Sequence, residues 1–138
     1  MTSKLVLDNL AGRTTAGSIT IVGEGNGTTT NLQQGLAKAW VNFNGESTAA
    51  TVNTFNVGSL TDQGTGQYQF AITNAMANVN SVFTCNTSNR DEDNAGYGNN
   101  SQVGTDTTST FHYEGMNIPG NANQDTTNGH AVVHGDLA

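Results

Sequence analysis

Cysteine and proline are almost absent from this chain, which has one of each among its 138 residues. A single cysteine cannot form a disulfide within the chain. Cys85 alternates with Phe83 in a β-like run, so we interpret it as a small buried apolar residue rather than as a reactive thiol. Packing and hydrogen bonds must therefore hold the fold together without a cross-link inside the chain.

Basic residues are also scarce. Lys4, Arg13, Lys38 and Arg90 stand against eleven acidic residues, and the formal net charge is −7. Four dispersed cations do not make the basic stripe that a phosphate backbone requires, so we expect no nucleic-acid partner. No apolar stretch approaches the roughly 20 residues of a membrane-spanning helix, and the N-terminus lacks the basic start and apolar run of a signal peptide. We expect neither membrane insertion nor export by a leader.

Large apolar side chains are few, because hydrophobic residues make up 34% of a chain rich in Thr, Asn, Gly and Ser. Burial of so few apolar side chains cannot by itself offset the entropy cost of ordering the chain. The chain therefore needs a partner or further subunits to bury more surface. Two interpretations stay open: part of the chain orders on meeting a partner, or identical subunits supply the missing burial. Charged residues amount to only 11%, and the aromatic residues fall in patterned segments, which favours a homo-oligomer over disorder.

The single tryptophan lies in the segment that most strongly indicates β structure, GLAKAWVNFNG at residues 35–45. From Ala37 to Phe43, small and apolar residues alternate with Lys38, Trp40 and Asn42, which is the period of a strand. Trp40 thus falls on the otherwise polar side. Either both faces of this strand are covered and Trp40 is a core residue, or its indole packs against another subunit, which makes Trp40 a candidate interface residue.

A β-hairpin is predicted in the centre of the chain. Phe55 and Val57 alternate into a strand, the segment 62–66 supplies a glycine turn, and the next strand alternates outward again. The predicted inward face of this hairpin is Phe55, Val57, Tyr68, Phe70 and Ile72. Further strands are predicted at 81–86, 110–114 and 130–136, with long polar loops at 87–109 and 119–128. Since strand-like patterns reach the last few residues, we expect the C-terminal strand to lie inside a sheet.

Residues 1–30 contain no aromatic residue and are predicted to form a separate arm. The segments 4–7 and 18–22 could each form a strand, but two such strands are marginal alone, so the arm needs a surface to dock on. One or two helical turns are predicted at 31–39. The predicted fold class is all-β, an antiparallel β-sandwich over residues 31–138 with a short extended N-terminal arm over residues 1–30.

Residue patterns for catalysis or metal binding are weak. His130 and His134 on one strand would be about 13 Å apart, too far for one ion, although His112 could approach either of them across strands. We interpret the three histidines as solvated or hydrogen-bonded surface residues. The acidic run Asp91-Glu92-Asp93 lacks the glutamate that closes an EF-hand loop. No nucleophile elbow is present, and the glycine-rich segment 23–27 lacks the lysine of a phosphate-binding loop. We predict no catalytic residue, no metal site and no cofactor, and a protein that is not an enzyme.

Two blocks of the sequence resemble a module of phage tail-fibre and virion-appendage proteins. That module reads roughly KAWVNFNGT and then SFNVSSITDNGTGDYTVNF. Here the matching segments are residues 35–45 and 54–76, and the turn Ala75-Met76-Ala77-Asn78 lacks the proline of the family's AMPN turn. The resemblance covers about residues 31–84, with a looser match of the two ends.

This resemblance implies a homotrimeric structural protein of the virion, assembled in the host cytoplasm, whose N-terminal arm attaches to other virion proteins of the capsid or tail. The arm would contribute Leu5, Leu7, Ile19 and Ile21 to a subunit interface. The alternative function is a lectin-like receptor-binding module that recognises host surface glycans. Its candidate contact residues lie in the first long loop and are Arg90, Asp91, Asp93 and Tyr97.

Overall fold

The computed structural model describes residues 4–13, 19–22, 27–88, 96–100, 104–117 and 122–138. By their contacts, the residues divide into two compact units, Met1–Leu36 and Ala37–Ala138. The predicted boundary between arm and sandwich, after residue 30, stays a prediction. Within the described ranges, no helix combines the length and the apolar character needed to cross a membrane.

The N-terminal unit contains one small hairpin. Strand β1, Thr20–Val22, pairs antiparallel with β2, Thr29–Asn31, and the helical turn α1, Leu32–Gly35, follows directly. The Leu32 amide donates to the Ile19 carbonyl at 2.9 Å, which ties this turn to the start of the hairpin. The short helix was predicted, but the strand predicted at residues 4–7 is wrong, since these residues form no strand and β1 pairs with β2 instead.

The second unit is an all-β antiparallel sandwich. Its first sheet has the order β4-β3-β10-β7 and its second the order β5-β6-β9-β8. The strands of the first sheet are β3, Ala39–Asn44; β4, Ala50–Phe55; β7, Val82–Ser88; and β10, Asn128–His134. Those of the second are β5, Val57–Gly64; β6, Gln67–Ile72; β8, Gly96–Asn100; and β9, Thr110–Asn117. The predicted fold class is confirmed.

The core between the two sheets is built around aromatic rings. Phe43 of the first sheet meets Tyr68, Phe70 and Tyr113 of the second edge to face, with ring centroids 4.9, 5.1 and 5.0 Å apart. Gly129, the cross-strand partner of Phe43, leaves room for this ring, because a Cβ there would overlap it. A second cluster adds Ala39, Ile72, Met76, Phe111 and Val133. Three predicted inward residues, Tyr68, Phe70 and Ile72, are confirmed as buried.

The central hairpin differs from the prediction on its first side. Phe55 ends β4 in the first sheet and is 51% exposed, so it does not share the inward face of Val57. Val57 begins β5 in the second sheet and packs against both core clusters. Between them the chain changes sheets at one residue, Asn56. A continuous alternation of residue types therefore conceals a corner.

The structure also differs from the prediction of a long polar loop at 87–109. This segment contains the strand β8, whose backbone pairs antiparallel with β9. Its composition of Gly, Asn and Tyr gives no clear alternation, and the neighbouring strand orders it. The prediction for the C-terminal strand is confirmed. Strand β10 lies between β3 and β7, and a bridge from Met76 to Leu137 fastens the residues after it.

Asn56 holds the corner between the two sheets through both its backbone and its side chain. Its φ of 56° lies in the left-handed region, where Asn is tolerated better than most residues. Its Nδ2 donates to the carbonyls of Lys38 at 2.9 Å and Asn74 at 3.1 Å. Its Oδ1 accepts from the Asn74 amide at 2.7 Å. The side chain thus joins the chain segments that enter β3 and leave β6.

We predict that Asn56→Ala lowers the free energy of unfolding by about 2–4 kcal/mol, since it removes several hydrogen bonds and leaves at positive φ an alanine, which tolerates that region less well than asparagine. Asn56→Gly loses the same bonds without the backbone penalty, and should recover about 1 kcal/mol of that loss. Urea denaturation measures both. Asn53→Ala, on the exposed face of β4, is the matched control and should leave stability almost unchanged. Equal stability of the Asn56→Ala and wild-type proteins would contradict the assignment.

Candidate functional site

The outer face of the first sheet exposes a set of side chains that the strand alternation turns away from the core. On β3, Ala39, Val41 and Phe43 are buried, so Trp40 and Asn42 lie on the opposite face. Trp40 is 36% exposed. The predicted alternation is therefore confirmed, and the interpretation of Trp40 as a core residue is wrong. Its role in a subunit interface stays a prediction.

Strand register places these outward side chains in two adjacent cross-strand rows. The first row runs Phe55, Trp40, Val132 and Thr84 across the sheet, and the second runs Asn53, Asn42, His130 and Asn86. Neighbours within a row have Cβ atoms about 5 Å apart, and the two rows are about 7 Å apart along the strands. One row is thus largely apolar, and the row beside it consists of three amides and an imidazole.

A shallow groove of about 430 Å³ lies over these rows. Its outward lining residues are Trp40, Asn42, Asn53, Thr84, Asn86, His130 and Val132, and Val41, Cys85 and Ala131 line it from the strands below. None of these residues is Asp, Glu, Lys or Arg. The volume falls within the range of small-molecule sites, about 300–1,000 Å³. The arrangement provides an indole face beside polar groups in a neutral setting.

The polar groups of the groove are available to a ligand. The structure gives no hydrogen bond from a described residue to the side-chain amides of Asn42, Asn53 and Asn86 or to the imidazole of His130. Amides carry both donors and an acceptor, and a neutral imidazole carries one of each. The amide of Asn56, in contrast, is used fully inside the fold. The row can therefore donate to and accept from a bound molecule without breaking an internal bond.

Cys85 is the single cysteine of the chain and lines the groove, and its thiol has low reactivity. It packs partly buried against the aromatic core, and this burial raises the pKa of the thiol from 9.0 to about 11. The thiolate is the nucleophilic form of cysteine, so the group stays protonated and unreactive at neutral pH. Its interpretation as a small apolar residue therefore agrees with its position.

His112 lies in the second sheet and belongs to an internal hydrogen-bonded cluster. It is hydrogen-bonded, as predicted, but it is only 7% exposed, so its predicted position on the surface is wrong. Its Nδ1 is 3.1 Å from Asp106 Oδ1, and its Nε2 is 3.2 Å from Gln69 Nε2. The surrounding network assigns the ring proton to Nδ1, which donates to the carboxylate, while Nε2 accepts from the amide. With both ring nitrogens engaged, the cluster joins β6, β9 and the segment before β9.

Part of the second polar loop is likewise built into the fold. Asp125 Oδ1 accepts from the Gly66 amide at 2.7 Å and from the Tyr68 hydroxyl at 2.8 Å. The pKa of Tyr68 is raised, first because the ring is buried and second because its hydroxyl donates to Asp125. Thr126 is buried and hydrogen-bonds to Thr87 through their hydroxyls. Because these polar groups are engaged inside the fold, the groove on the first sheet is better placed than this loop segment to bind a ligand.

Of the four residues predicted to contact a receptor, the structure describes one. Arg90, Asp91 and Asp93 lie outside the described residues. Tyr97 lies on β8, where its backbone pairs with Met116 in the second sheet. The predicted interface residues of the arm lie in the N-terminal unit: Leu5, Leu7 and Ile21 are exposed and Ile19 is partly buried.

Among the residues that the structure describes, no three or more His, Cys, Asp or Glu side chains are grouped closely enough to hold a metal ion. Comparisons with protein-family models, curated proteins and solved structures found no match for this chain. The structure itself defines the class of this protein, which is an all-β antiparallel sandwich. One of its sheets carries a groove lined by an indole, amides and an imidazole.

The raised thiol pKa predicts a pH dependence of stability. Between pH 9.0 and about 11 the folded protein keeps the Cys85 proton and the unfolded chain loses it, so a rise in pH through this window favours unfolding. Across this pH window we expect the free energy of unfolding of Cys85→Ala to fall by about 1 kcal/mol less than that of the wild type. This value allows for the partial exposure of the thiol. Chemical denaturation at each pH measures this. The neighbouring Thr84→Ala should follow the wild type, and identical pH profiles for Cys85→Ala and wild type would contradict the prediction.

Proposed function

We propose that the chain is a structural protein of a bacteriophage virion, a tail-fibre-like or other surface appendage without catalytic activity. Its N-terminal unit attaches it to capsid or tail proteins, and its β-sandwich is the exposed part. The proposal rests on the resemblance of residues 31–84 to virion-appendage modules. The observation that supports it best is the contrast between the two units.

The two units differ in how far their apolar side chains are buried. In the sandwich, aromatic residues of both sheets pack against one another in the interior, and Trp40 and Phe55 are the exposed exceptions among its described aromatic residues whose side-chain burial is known. In the N-terminal unit, Leu5 is 80% exposed and Val6 73% exposed, and Leu7, Leu10, Ile21 and Val22 are exposed as well. A two-stranded hairpin is marginally stable by itself, and clustered exposed apolar side chains mark interaction sites. Such a unit suits attachment better than an independent role.

The non-catalytic part of the proposal draws on how the polar side chains of the sandwich are used. The His112 and Asp106 pair has the residue types of a general base and its orienting carboxylate. Gln69, however, engages the second ring nitrogen, and Gly104 lies against the ring so closely that a Cβ there would overlap it. A general base needs a free nitrogen within reach of a substrate proton. The cluster is better suited to fastening the strands.

Receptor binding at the host surface is the second candidate function. The observation that favours it is the groove on the outer face of the first sheet, where Trp40 lies beside a row of polar groups that no other described residue engages. Isolated surface apolar residues need no explanation, but this combination suits ligand binding. The loop residues Arg90, Asp91 and Asp93 remain candidate contacts from the sequence.

The attachment role predicts where the protein is found. An antibody raised against residues 37–138 should label purified particles of the encoding phage at one defined position in electron micrographs. Particles made with a chain lacking residues 1–36 should carry no label, although the truncated protein still melts cooperatively because its core is complete. A truncated chain that labels particles as well as the full chain would contradict attachment through the N-terminal unit.

The exposed apolar residues of the N-terminal unit also predict oligomerisation. We expect light scattering to give about three times the chain mass of 14.3 kDa, as a closed cyclic trimer would. The double variant Leu5→Ser and Leu7→Ser should shift the protein toward monomer without changing the melting of the sandwich. Val79→Ser, an exposed apolar position of the sandwich unit, is the control and should remain trimeric. A wild-type monomer would overturn the trimer.

A further inference from the structure

We propose that the groove on the outer face of the first sheet binds a neutral oligosaccharide, with Trp40 as the stacking platform and the row Asn53, Asn42, His130 and Asn86 as the hydrogen-bonding strip. This inference deepens the second candidate function by naming its ligand class and its site. It places the ligand on the sheet rather than on the long loops. It does not depend on attachment to a virion.

The indole of Trp40 supplies the apolar part of such a site. One face of a sugar ring presents mainly C–H groups, whose slightly positive hydrogens are attracted to the negative face of an aromatic ring. Trp40 is 36% exposed and lines the groove, so part of its ring is open to a ligand while the rest is held by the sheet. Val132, its neighbour in the same row, is partly buried and extends this apolar surface.

The polar row supplies the other half of the recognition. Each sugar hydroxyl donates one hydrogen bond and accepts others, so it pairs best with groups that can also do both. The amides of Asn42, Asn53 and Asn86 have this capacity, and no described residue forms a hydrogen bond with any of their side chains. The row crosses four strands, about 14 Å from first to last. A short oligosaccharide lying across the strands would meet the amides along one edge and the indole on its face.

The charge of the groove selects a neutral ligand over an anionic one. None of the described residues that line it carries a carboxylate, ammonium or guanidinium group, and the chain as a whole carries −7. Lys38, directly before β3, is 4% exposed and is not among the residues that line the groove. Acidic sugars and phosphates would approach a negatively charged protein and find no cation among the described residues of the groove, which is unfavourable.

The size of the face argues against a second copy of the chain as the occupant. Four strands of about six residues give a surface of about 400 Å², whereas stable interfaces bury about 800 Å² on each partner. The apolar part of this face is a single row, and the row beside it is polar throughout. Interface cores are enriched in apolar and aromatic residues. The groove therefore suits a small polar ligand better than a protein surface.

The experiment uses the full chain and its single tryptophan, Trp40, whose fluorescence reports directly from the site. The probes are maltohexaose, cellohexaose, chitohexaose and hexamers derived from mannan and galactan, with oligogalacturonate as the acidic probe. We expect at least one neutral probe to change the emission saturably and to release heat in calorimetry. We expect no response to the acidic probe.

Variants separate the two halves of the site. Asn42→Ala and His130→Ala retain the fluorophore, and each should weaken binding by about tenfold, because a buried hydrogen bond to the sugar is lost. Trp40→Ala, followed by calorimetry, should abolish detectable binding. Phe55→Ala is the matched control, since Phe55 is an exposed aromatic in the same row that does not line the groove, and it should bind like the wild type.

Three results would overturn the proposal. One is no response to any neutral probe by a folded wild-type protein. Another is equal loss of binding in Phe55→Ala and Trp40→Ala, which would indicate general adhesion to apolar surface. The third is a Trp40 emission that depends on protein concentration and an oligomer that dissociates in Trp40→Ala, which would assign the face to a second copy. All three are read on purified protein, so they are independent of particle labelling.

Discussion

The packing of Phe43 between the two sheets is the contact on which the sandwich depends. Its ring is completely buried and lies edge to face with three rings of the opposite sheet, an arrangement that aromatic quadrupoles favour. One residue from β3 thus connects β6 and β9 through their side chains. A chain with few large aliphatic residues obtains a dense interior in this way, because aromatic rings bury much surface for each residue ordered.

The outer groove is a consequence of the same packing. Strand alternation that sends Val41 and Phe43 inward leaves Trp40 and Asn42 on the other face, and β10 adds His130 and Val132 beside them. Within the described part of the second unit, no further layer covers this face. The rigid inner contacts hold the backbone of each strand, so the outward side chains keep a fixed spacing. Preorganised spacing of this kind lowers the cost of binding.

Strong alternation was the part of the sequence that predicted structure well. Tyr68, Phe70 and Ile72 occur at every second position, and they are buried as expected. Phe55 and Val57 show the same spacing, yet the positive φ of Asn56 sends them to different sheets. A period of two cannot reveal a corner, because it describes faces and not the direction of the chain. His112 was misassigned for a related reason: its partners Asp106 and Gln69 come together only when β6 and β9 pair.

The sequence by itself determined the all-β class, the inward residues of the alternating strands and the outward position of Trp40, since these depend only on local period and residue type. Tertiary structure alone decided that β8 forms within a polar stretch and that Asn53, Asn42, His130 and Asn86 share one row. These four residues are distant in the chain, and only the register of long-range strand pairing makes them neighbours. Register is set by the packing of the whole inner face, which no local pattern contains.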